Sequence, residues 1–295
     1  YLEKVVKLPL VSLSIDMELD NLNFLKKSSL QTLNLSNSKI SSLDFLQDMR
    51  VSLLGITNAS NLKSLSGLSN TPIKHLYLKD TPIINYSVIQ KLNLDHLSIH
   101  RTDTPVDIHQ FGKASIYSLS IRRVPVLNPS SFENLNCEHL DLQNCGITKL
   151  NFKKGLELVT LNLTLNKIST IDSLSKLNVE ILNLNGNPII DITPLQNMSN
   201  LKSLSLNNTK VANIDSLNGE SLQRLYLNHT DVSNISCLER FHDLENLALD
   251  QTQITQLSPI KHLNLISLTM SGSLVSDFSP LAQMLTLKHL SLPLS

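Results

Sequence analysis

Leucine and other apolar residues recur along the chain at a short, regular interval. In residues 201–217 (LKSLSLNNTKVANIDSL), Leu204, Leu206 and Val211 hold apolar positions, and Thr209 holds a polar one. The two leucines alternate with serine and asparagine, which is the pattern of a short strand with one apolar face and one polar face. One such unit cannot bury its own leucines, so we expect a neighbouring copy on each side.

The same unit repeats through the whole sequence. Its second strand leucine occurs 14 times, at a spacing of 20 residues once and of 21 or 22 residues after that. These leucines are Leu13, Leu33, Leu54, Leu76, Leu97, Leu119, Leu140, Leu161, Leu182, Leu204, Leu225, Leu247, Leu268 and Leu290. Because a unit of this length has no room for a long helix, we predict that short 3₁₀ or extended segments return the chain from one strand to the next. Pro194, Pro259 and Pro280 fall in these segments, where no ladder N–H is required.

This leucine spacing and period are typical of leucine-rich repeats. We therefore predict the α/β class and a right-handed leucine-rich-repeat solenoid, or horseshoe. Its parallel β-sheet is expected on the concave side, with short 3₁₀ or irregular segments on the convex side. Residues 1–295 are predicted to form a single domain of about 14 repeats, because no Ser/Gly-rich linker divides them. Residues 1–29 are interpreted as a degenerate N-terminal cap.

One position in each unit is predicted to point into the solenoid. Its occupants, mostly short polar residues, are Glu18, Ser38, Ala59, Thr81, Thr102, Val124, Cys145, Asn166, Asn187, Thr209, Thr230, Thr252, Ser273 and Ser295. The turn after each strand leaves backbone groups inside, and a short polar side chain can satisfy them. The odd number of cysteines argues against a disulfide cap, so Cys137, Cys145 and Cys237 are interpreted as buried free thiols.

The residues one before, one after and three after each repeat leucine are predicted to face the concave side. In the second half of the chain they are nearly all Ser, Thr and Asn, whereas in the first half many are basic or aromatic. The first patch, a predicted site for a ligand or partner, consists of His75, Tyr77, Lys79, His96, His100, Arg101, Arg122, Arg123, His139 and Asp141. A smaller second patch consists of Arg224, Tyr226, His229 and Asp250.

Three interpretations of the first patch remain open from the sequence. It is ordinary solvated surface, since charged residues are normal there. A second interpretation is that it binds an anionic group or an acidic segment of a partner. Arg and His cluster there, and Asp141 is the only predicted acidic residue on the concave face to balance their charge. Or it is a His-based metal or hydrolytic site, although an open sheet supplies neither closure nor supporting ligands.

Composition and motifs narrow the classes of function. Lys+Arg and Asp+Glu both total 25, Trp is absent and aromatic residues make up 4% of the chain. We therefore expect no nucleic-acid binding and no direct membrane insertion. No phosphate-binding glycine loop, H-E-x-x-H or C-x-x-C motif is present. We expect no catalytic residues, no metal and no cofactor, and we expect a monomer.

Residues 182–211 (LNLNGNPIIDITPLQNMSNLKSLSLNNTKV) resemble the short leucine-rich repeats of bacterial internalins, most closely at Pro194 and Leu195. Thr209 at the inward position is also similar to repeats attached to serine/threonine kinases of planctomycete- and lentisphaera-type bacteria. The repeat resemblance covers nearly all 295 residues and implies a concave face that binds proteins.

We therefore expect a non-catalytic recognition module that binds a protein, a peptide or another acidic ligand on its concave face. The alternative is the sensor or docking region of a larger enzyme, such as a bacterial serine/threonine kinase, whose catalytic domain lies outside these residues. The chain begins at Tyr1 rather than Met, so we expect a part of a longer protein. The bacterial cytoplasm or cell envelope is the expected location.

Overall fold

The repeat leucines bring their strands side by side in parallel sheets. The computed structural model describes residues 4, 7–152 and 156–293. Contacts divide the chain into two compact units, residues 1–146 and 147–295. The assignment of residues 1–295 to one domain, with residues 1–29 as a cap, stays a prediction.

The described part of the first unit contributes seven parallel strands to its main sheet, joined in chain order. They are β1 (Ser12–Asp16), β2 (Thr32–Ser36), β3 (Leu53–Thr57), β4 (His75–Lys79), β5 (Asn93–His100), β7 (Ser115–Arg122) and β9 (His139–Asp141). Between them, β6 (Val106–Asp107) and β8 (Val126–Leu127) pair with each other. Leu33, Leu54 and Leu76 lie in register on successive strands. This register stacks the repeat leucines on one face of the sheet.

The described part of the second unit also has seven parallel strands in chain order, each three residues long. They are β10 (Thr160–Asn162), β11 (Ile181–Asn183), β12 (Ser203–Ser205), β13 (Arg224–Tyr226), β14 (Asn246–Ala248), β15 (Ser267–Thr269) and β16 (His289–Ser291). Leu182, Leu204 and Leu225 are again in register. The two units therefore have the same repeat geometry but different strand lengths.

Short 3₁₀ helices and extended backbone return the chain from one strand to the next. Among the described residues these helices are Asn23–Lys27, Asp44–Leu46, Ser66–Leu68, Ser87–Lys91, Ile108–Phe111, Pro129–Asn134, Asp172–Lys176, Thr193–Leu195, Ser236–Arg240, Ser258–Ile260 and Ser279–Gln283. Pro194, Pro259 and Pro280 stand in the first turn of their helices, where a missing N–H costs nothing. The predicted fold class, a leucine-rich-repeat solenoid with short 3₁₀ segments, is confirmed.

The apolar core lies between the sheet and the return segments. Leu184 and Leu206 are 0% exposed, as predicted from the repeat. The terminal repeats are less well covered. Leu13 is half-buried and Leu290 is 44% exposed, since β1 and β16 each have a strand neighbour on one side only in the described part of the chain.

A residue in the left-handed backbone region follows the strand in each of twelve successive repeats, with φ between 49° and 67°. These residues are Asn37, Asn58, Asp80, Arg101, Arg123, Asn144, Leu165, Gly186, Asn208, His229, Gln251 and Gly272. The sharp turn directs the next side chain, at the predicted inward position, into the core. Asn and Gly suit this region best, so Arg101 and Arg123 are unusual occupants.

The inward position is buried, as predicted. Its buried polar occupants are Ser38, Thr81, Thr102, Asn166, Asn187, Thr209, Thr230, Thr252 and Ser273. The Asn187 Nδ2 donates to the carbonyls of Leu163 and Leu184, both at 2.9 Å. Its Oδ1 accepts the backbone N–H of Ile168 at 3.1 Å. One side chain therefore connects the backbones of two neighbouring repeats.

A few occupants of the inward position depart from this scheme. The buried Ser273 hydroxyl has no hydrogen-bond partner among the described residues. Glu18 is exposed instead of inward and pairs with Lys39 at the surface, because in the described part of the chain the first repeat has a strand neighbour on one side only. Ser295 lies outside the described residues.

All three cysteines are buried free thiols, as predicted. Burial raises the pKa of the Cys137 and Cys145 thiols to about 12 and that of Cys237 to about 11. A thiol reacts through its thiolate form. These cysteines therefore serve as small core residues, not as nucleophiles.

Replacing Asn187 with leucine is expected to lower the free energy of unfolding by at least about 2 kcal/mol, although leucine is more apolar. The Leu184 carbonyl and the Ile168 N–H would lose the bonds that Asn187 makes to them, and each loss costs about 1–3 kcal/mol, whereas the Leu163 carbonyl keeps its bond from Asn166 Nδ2. Urea unfolding measures the change. As a graded control, Thr209→Val removes a single hydrogen bond, to the Leu206 carbonyl, and should cost about 1 kcal/mol. A leucine variant as stable as the wild type would contradict the assigned role.

Candidate functional site

Strands β4, β5, β7 and β9 place the first patch on the open face of the sheet in three rows. The first row contains His75, His96, Ser118 and His139. The second row contains Tyr77, Ser98, Ser120 and Asp141. The third row contains Lys79, His100 and Arg122. Arg101 and Arg123 follow β5 and β7 directly, so the structure brings the predicted residues together on one surface.

Two arginines of the first patch have acidic partners. The Arg122 Nε donates to Oδ2 of Asp141 at 2.7 Å, and its Nη2 contacts the same oxygen. The Arg101 Nε lies 3.8 Å from Oδ1 of Asp80, a second counter-charge that the sequence analysis missed. Replacing Arg122 would also remove the ion pair of Asp141, so Arg122 is a poor single test of ligand binding.

The remaining cations lie at the exits of β4, β5 and β7. Lys79 and Arg123 form no ion pair among the described residues. The pKa of His100 is lowered, first by partial burial and then by the charges of Arg123, Lys79, Arg101 and Arg122. This end of the open face therefore has an excess of positive charge.

Histidine and tyrosine rings pack against one another in the first two rows. The ring centroids of Tyr77 and His96 are 5.1 Å apart. Those of Tyr117 and His139 are 5.0 Å apart, and the Tyr117 hydroxyl lies 3.2 Å from the His139 Nε2. Partial burial, then the charges of His75 and Arg122, lower the pKa of His96.

Sequence reasoning missed Tyr117, which is 52% exposed. The repeat pattern assigns no outward role to the residue two before the repeat leucine. In β7, however, the strand already begins at Ser115, so that Tyr117 stands on the open side beside Ser118. The alternation of β7 is broken at Tyr117 and Ser118, which are both uncovered between the buried Ile116 and Leu119, so a strict period of two gives no signal for Tyr117.

A hollow of about 480 Å³ opens on the same face in front of β2 to β5. The residues around it include Asn34, Gly55, Tyr77, Lys79, Ser98 and His100. Gly55 belongs to the second row, in register with Asn34 and Tyr77. A Cβ on Gly55 would stand 2.3 Å from Oδ1 of Asn34, so a side chain at this position would displace the Asn34 carboxamide at the edge of the hollow.

In the second unit, the fold itself uses the third row. Oδ1 of Asn185 accepts the backbone N–H of Asn207 at 2.7 Å. Oδ1 of Asn207 accepts that of Asn228, and Oδ1 of Asn228 accepts that of Asp250, both at 2.8 Å. Each of these side-chain oxygens takes the place of the strand carbonyl that would otherwise accept the backbone N–H. The backbone ladder therefore ends early, and these strands are only three residues long.

In the first unit, by contrast, backbone pairing continues through the third row. Thr57 pairs with Lys79, Lys79 with His100, and His100 with Arg122. The backbone therefore needs nothing from these side chains, and those of Lys79 and His100 are available to a ligand, whereas Arg122 is paired with Asp141.

Part of the second patch is also used by the fold, because one of its side chains accepts a backbone N–H. Asp250 accepts the backbone N–H of Ser271 at 2.7 Å and the hydroxyl of Thr269 at 2.9 Å. His229 occupies the left-handed turn position, with φ of 55°. Asp250 therefore serves the fold, whereas the side chains of Arg224, Tyr226 and the exposed His229 are left to contact a partner.

The described residues were compared with two further kinds of functional element, a metal site and a membrane-spanning helix, and match neither. Nowhere in residues 4, 7–152 and 156–293 do three or more His, Cys, Asp or Glu side chains come together in a way that would hold a metal ion. The helices of the same part of the chain are too short or too polar to cross a membrane. The absence of catalytic residues and of a cofactor stays a prediction.

The chain has the leucine-rich-repeat fold. Residues 177–219 match the family model described as Leucine Rich repeats (2 copies). Comparison with curated proteins gives no significant match. An internalin (inlF) from Listeria monocytogenes str. 4b F2365 is similar over 99% of this chain and 89% of that chain, with a TM-score of 0.66 and 19% identity. The predicted resemblance to internalins is confirmed at the level of the fold.

Two similar structures are complexes. One contains the leucine-rich-repeat ectodomain of the plant membrane receptor kinase GASSHO1/SCHENGEN3 from Arabidopsis thaliana in complex with CASPARIAN STRIP INTEGRITY FACTOR 2. The TM-score is 0.62, and the identity is 21% over 95% of this chain and 37% of that chain. The other is the TLR13–ssRNA13 complex, with a TM-score of 0.66 and 20% identity over 92% of this chain and 47% of that chain. At such identities the likeness shows the fold alone.

Lowering the pH from about 7.5 to about 5.5 is expected to destabilise the protein through His96 and His100. Their pKa is lowered in the folded chain, whereas an unfolded histidine titrates near about 6.5. The unfolded chain therefore binds more protons in this range, and the free energy of unfolding falls as the pH falls.

Urea midpoints at the two pH values test this expectation. The fall should be smaller in the His96→Gln/His100→Gln variant than in the wild type. His109→Gln is the control, because this residue lies outside the first patch. An equal fall in the double variant and the wild type would remove these two histidines as the cause.

Replacing Arg123 with asparagine is expected to leave the free energy of unfolding unchanged or to raise it by up to about 1 kcal/mol. Arginine is strained in the left-handed region, where asparagine is tolerated. The converse variant Asn144→Arg, at the same turn of the next repeat, should lower it by about 1 kcal/mol. Thermal and urea unfolding compare both with the wild type. A loss of stability in Arg123→Asn would show that Arg123 supports the fold.

Proposed function

We propose that the chain is a non-catalytic recognition module that binds an extended acidic segment of a partner protein through the first patch. The observation that carries this proposal is the excess of positive charge at the exits of β4, β5 and β7. Among the described residues, Lys79 and Arg123 lie there without an acidic partner, and their charges repel the protonated form of His100. Bound carboxylates would relieve this repulsion and form charge-assisted hydrogen bonds.

The aromatic residues support a protein or peptide as the ligand. Tyr77 and Tyr117 are 39% and 52% exposed, and each packs against a histidine of the first row. Tyrosine provides a large contact area with little loss of side-chain entropy, and it is common at binding hot spots. The tyrosines and the cations together suit a peptide with spaced carboxylates.

A nucleic acid suits the surface less well. Asp80 and Asp141 lie within the cationic surface and would repel a phosphate backbone. The formal net charge of the whole chain is zero. The TLR13–ssRNA13 complex nevertheless places RNA in a complex with a similar fold, so single-stranded RNA belongs in the test.

A second candidate function is the sensor or docking region of a larger enzyme, such as a serine/threonine kinase. The similar ectodomain of the receptor kinase GASSHO1/SCHENGEN3 favours this candidate, since it is a leucine-rich-repeat region of a kinase bound to a factor. This candidate uses the same patch and differs in what the rest of the protein does. We further propose that the chain acts as a monomer, in the bacterial cytoplasm or cell envelope.

Selection from a displayed library of random linear peptides tests the proposed function. Enriched peptides should be rich in Asp and Glu. Their affinity should fall as the salt concentration rises, because partly exposed charges are screened. Their affinity should rise from about pH 7.5 to about pH 5.5, because His96 and His100 gain protons.

The Arg101→Asn/Arg123→Asn variant should weaken binding about tenfold or more, because it removes two cations at turns where asparagine is tolerated. The control is Arg224→Ala, which alters the second patch. The proposal fails if the enriched peptides are not acidic, or if Arg224→Ala weakens them and the double variant does not. Tighter binding of labelled single-stranded RNA than of any peptide would also contradict it.

A further inference from the structure

We infer that the hollow over Gly55 is a pocket for one carboxylate side chain of the bound segment, with Lys79 and His100 as the residues that select it. This inference rests on the proposed function and names a position within it where an acidic side chain is read individually.

The shape of the hollow follows from Gly55. Its row contains Asn34, Gly55, Tyr77 and Ser98 on four adjacent strands. Three of these have side chains on the open face and Gly55 has none, which leaves room for the Asn34 carboxamide over the Gly55 backbone. A hollow of about 480 Å³ is lined by these four residues together with Lys79 and His100. Glycine weakens a strand, and inside a strand it often marks a close approach by a ligand.

The chemistry of the hollow suits a short acidic side chain. The half-buried Leu53 and the exposed ring of Tyr77 contribute apolar surface, which suits the methylene groups of Asp or Glu. Lys79 and His100 lie beside each other in the third row and supply donors for the carboxylate. One pocket therefore combines apolar contact with charge-assisted hydrogen bonding.

The charges around the hollow are one-sided. None of the described residues that line it is acidic. Asp141 of the first patch is engaged by Arg122, and Asp80, next to Lys79 in the chain, is engaged by Arg101. The positive groups that face His100 are Lys79, Arg101, Arg122 and Arg123. A carboxylate in the hollow would supply the negative charge that this part of the surface lacks.

Filling the hollow is the direct test. Valine suits a strand, and Gly55 does not have a positive φ. A Cβ at this position meets only the flexible end of Asn34, which can rotate away. Gly55→Val should therefore fold while excluding a guest side chain. Lys79→Met/His100→Gln is the second variant, because it removes the charged donors and leaves the shape of the sheet unchanged.

The probe is an acidic peptide selected on the wild-type protein and labelled for fluorescence anisotropy. Its affinity is compared with that of versions in which each Glu or Asp is changed singly to Gln or Asn. We expect one position whose change weakens binding to the wild type about tenfold or more, the loss of one charge-assisted hydrogen bond. On Gly55→Val and on Lys79→Met/His100→Gln, the same change should have almost no effect. Ser120→Val is the matched control, since Ser120 lies in the same row as Gly55 and outside the hollow; it should retain the tenfold preference.

The results separate this inference from the proposed function. Suppose that acidic peptides bind and lose affinity on Arg101→Asn/Arg123→Asn, but that both hollow variants still prefer the same single acidic position. The pocket is then overturned, whereas the recognition surface stands. It is also overturned if every acidic position contributes equally on the wild type. If no peptide depends on the two arginines, the proposed function fails and the pocket fails with it.

Discussion

Every repeat must satisfy the backbone groups that its turn leaves inside the core, and the rest of the structure depends on this constraint. The left-handed residue after the strand turns the next side chain inward, where Asn187 or Thr209 bonds to interior backbone. Where the inward residue is apolar, a neighbour can compensate, since the Ala59 N–H reaches the Thr81 hydroxyl of the next repeat at 3.5 Å. Stacking thus satisfies polar groups as well as burying leucines.

The same requirement at the strand exits decides where a ligand can bind. In the second unit the backbone N–H groups of the third row are bonded to Asn and Asp side chains, and the strands end early. In the first unit the backbone satisfies itself over longer strands, and the third-row side chains stay available. A surface rich in Asn is therefore structural, and the surface with Lys79 and His100 is the one suited to recognition.

The occupants of the first patch are poorly suited to stability alone. Arg101 and Arg123 stand in a backbone conformation that suits Asn or Gly, as Leu165 and Gln251 do in the second unit, and Gly55 stands inside a strand, where glycine is unfavourable. His100 is surrounded by cations, which disfavours its protonated form. Such departures from the local optimum tend to collect at functional sites, and here three kinds of departure fall on one face of one unit.

The sequence by itself determined the repeat, the register of the strands and the face on which the first patch lies. A 21- or 22-residue period places Leu54 beside Leu76 and therefore His75 beside His96, so both core and patch follow from counting residues. Tertiary structure decided which patch residues are available. The Arg122–Asp141 pair, the Asp80 counter-charge, the Tyr117 contact and the hollow over Gly55 depend on side-chain directions across separate repeats. A repeat pattern fixes the position of each Cα along its row, but the partner of each side chain depends on three-dimensional packing, which periodicity does not encode.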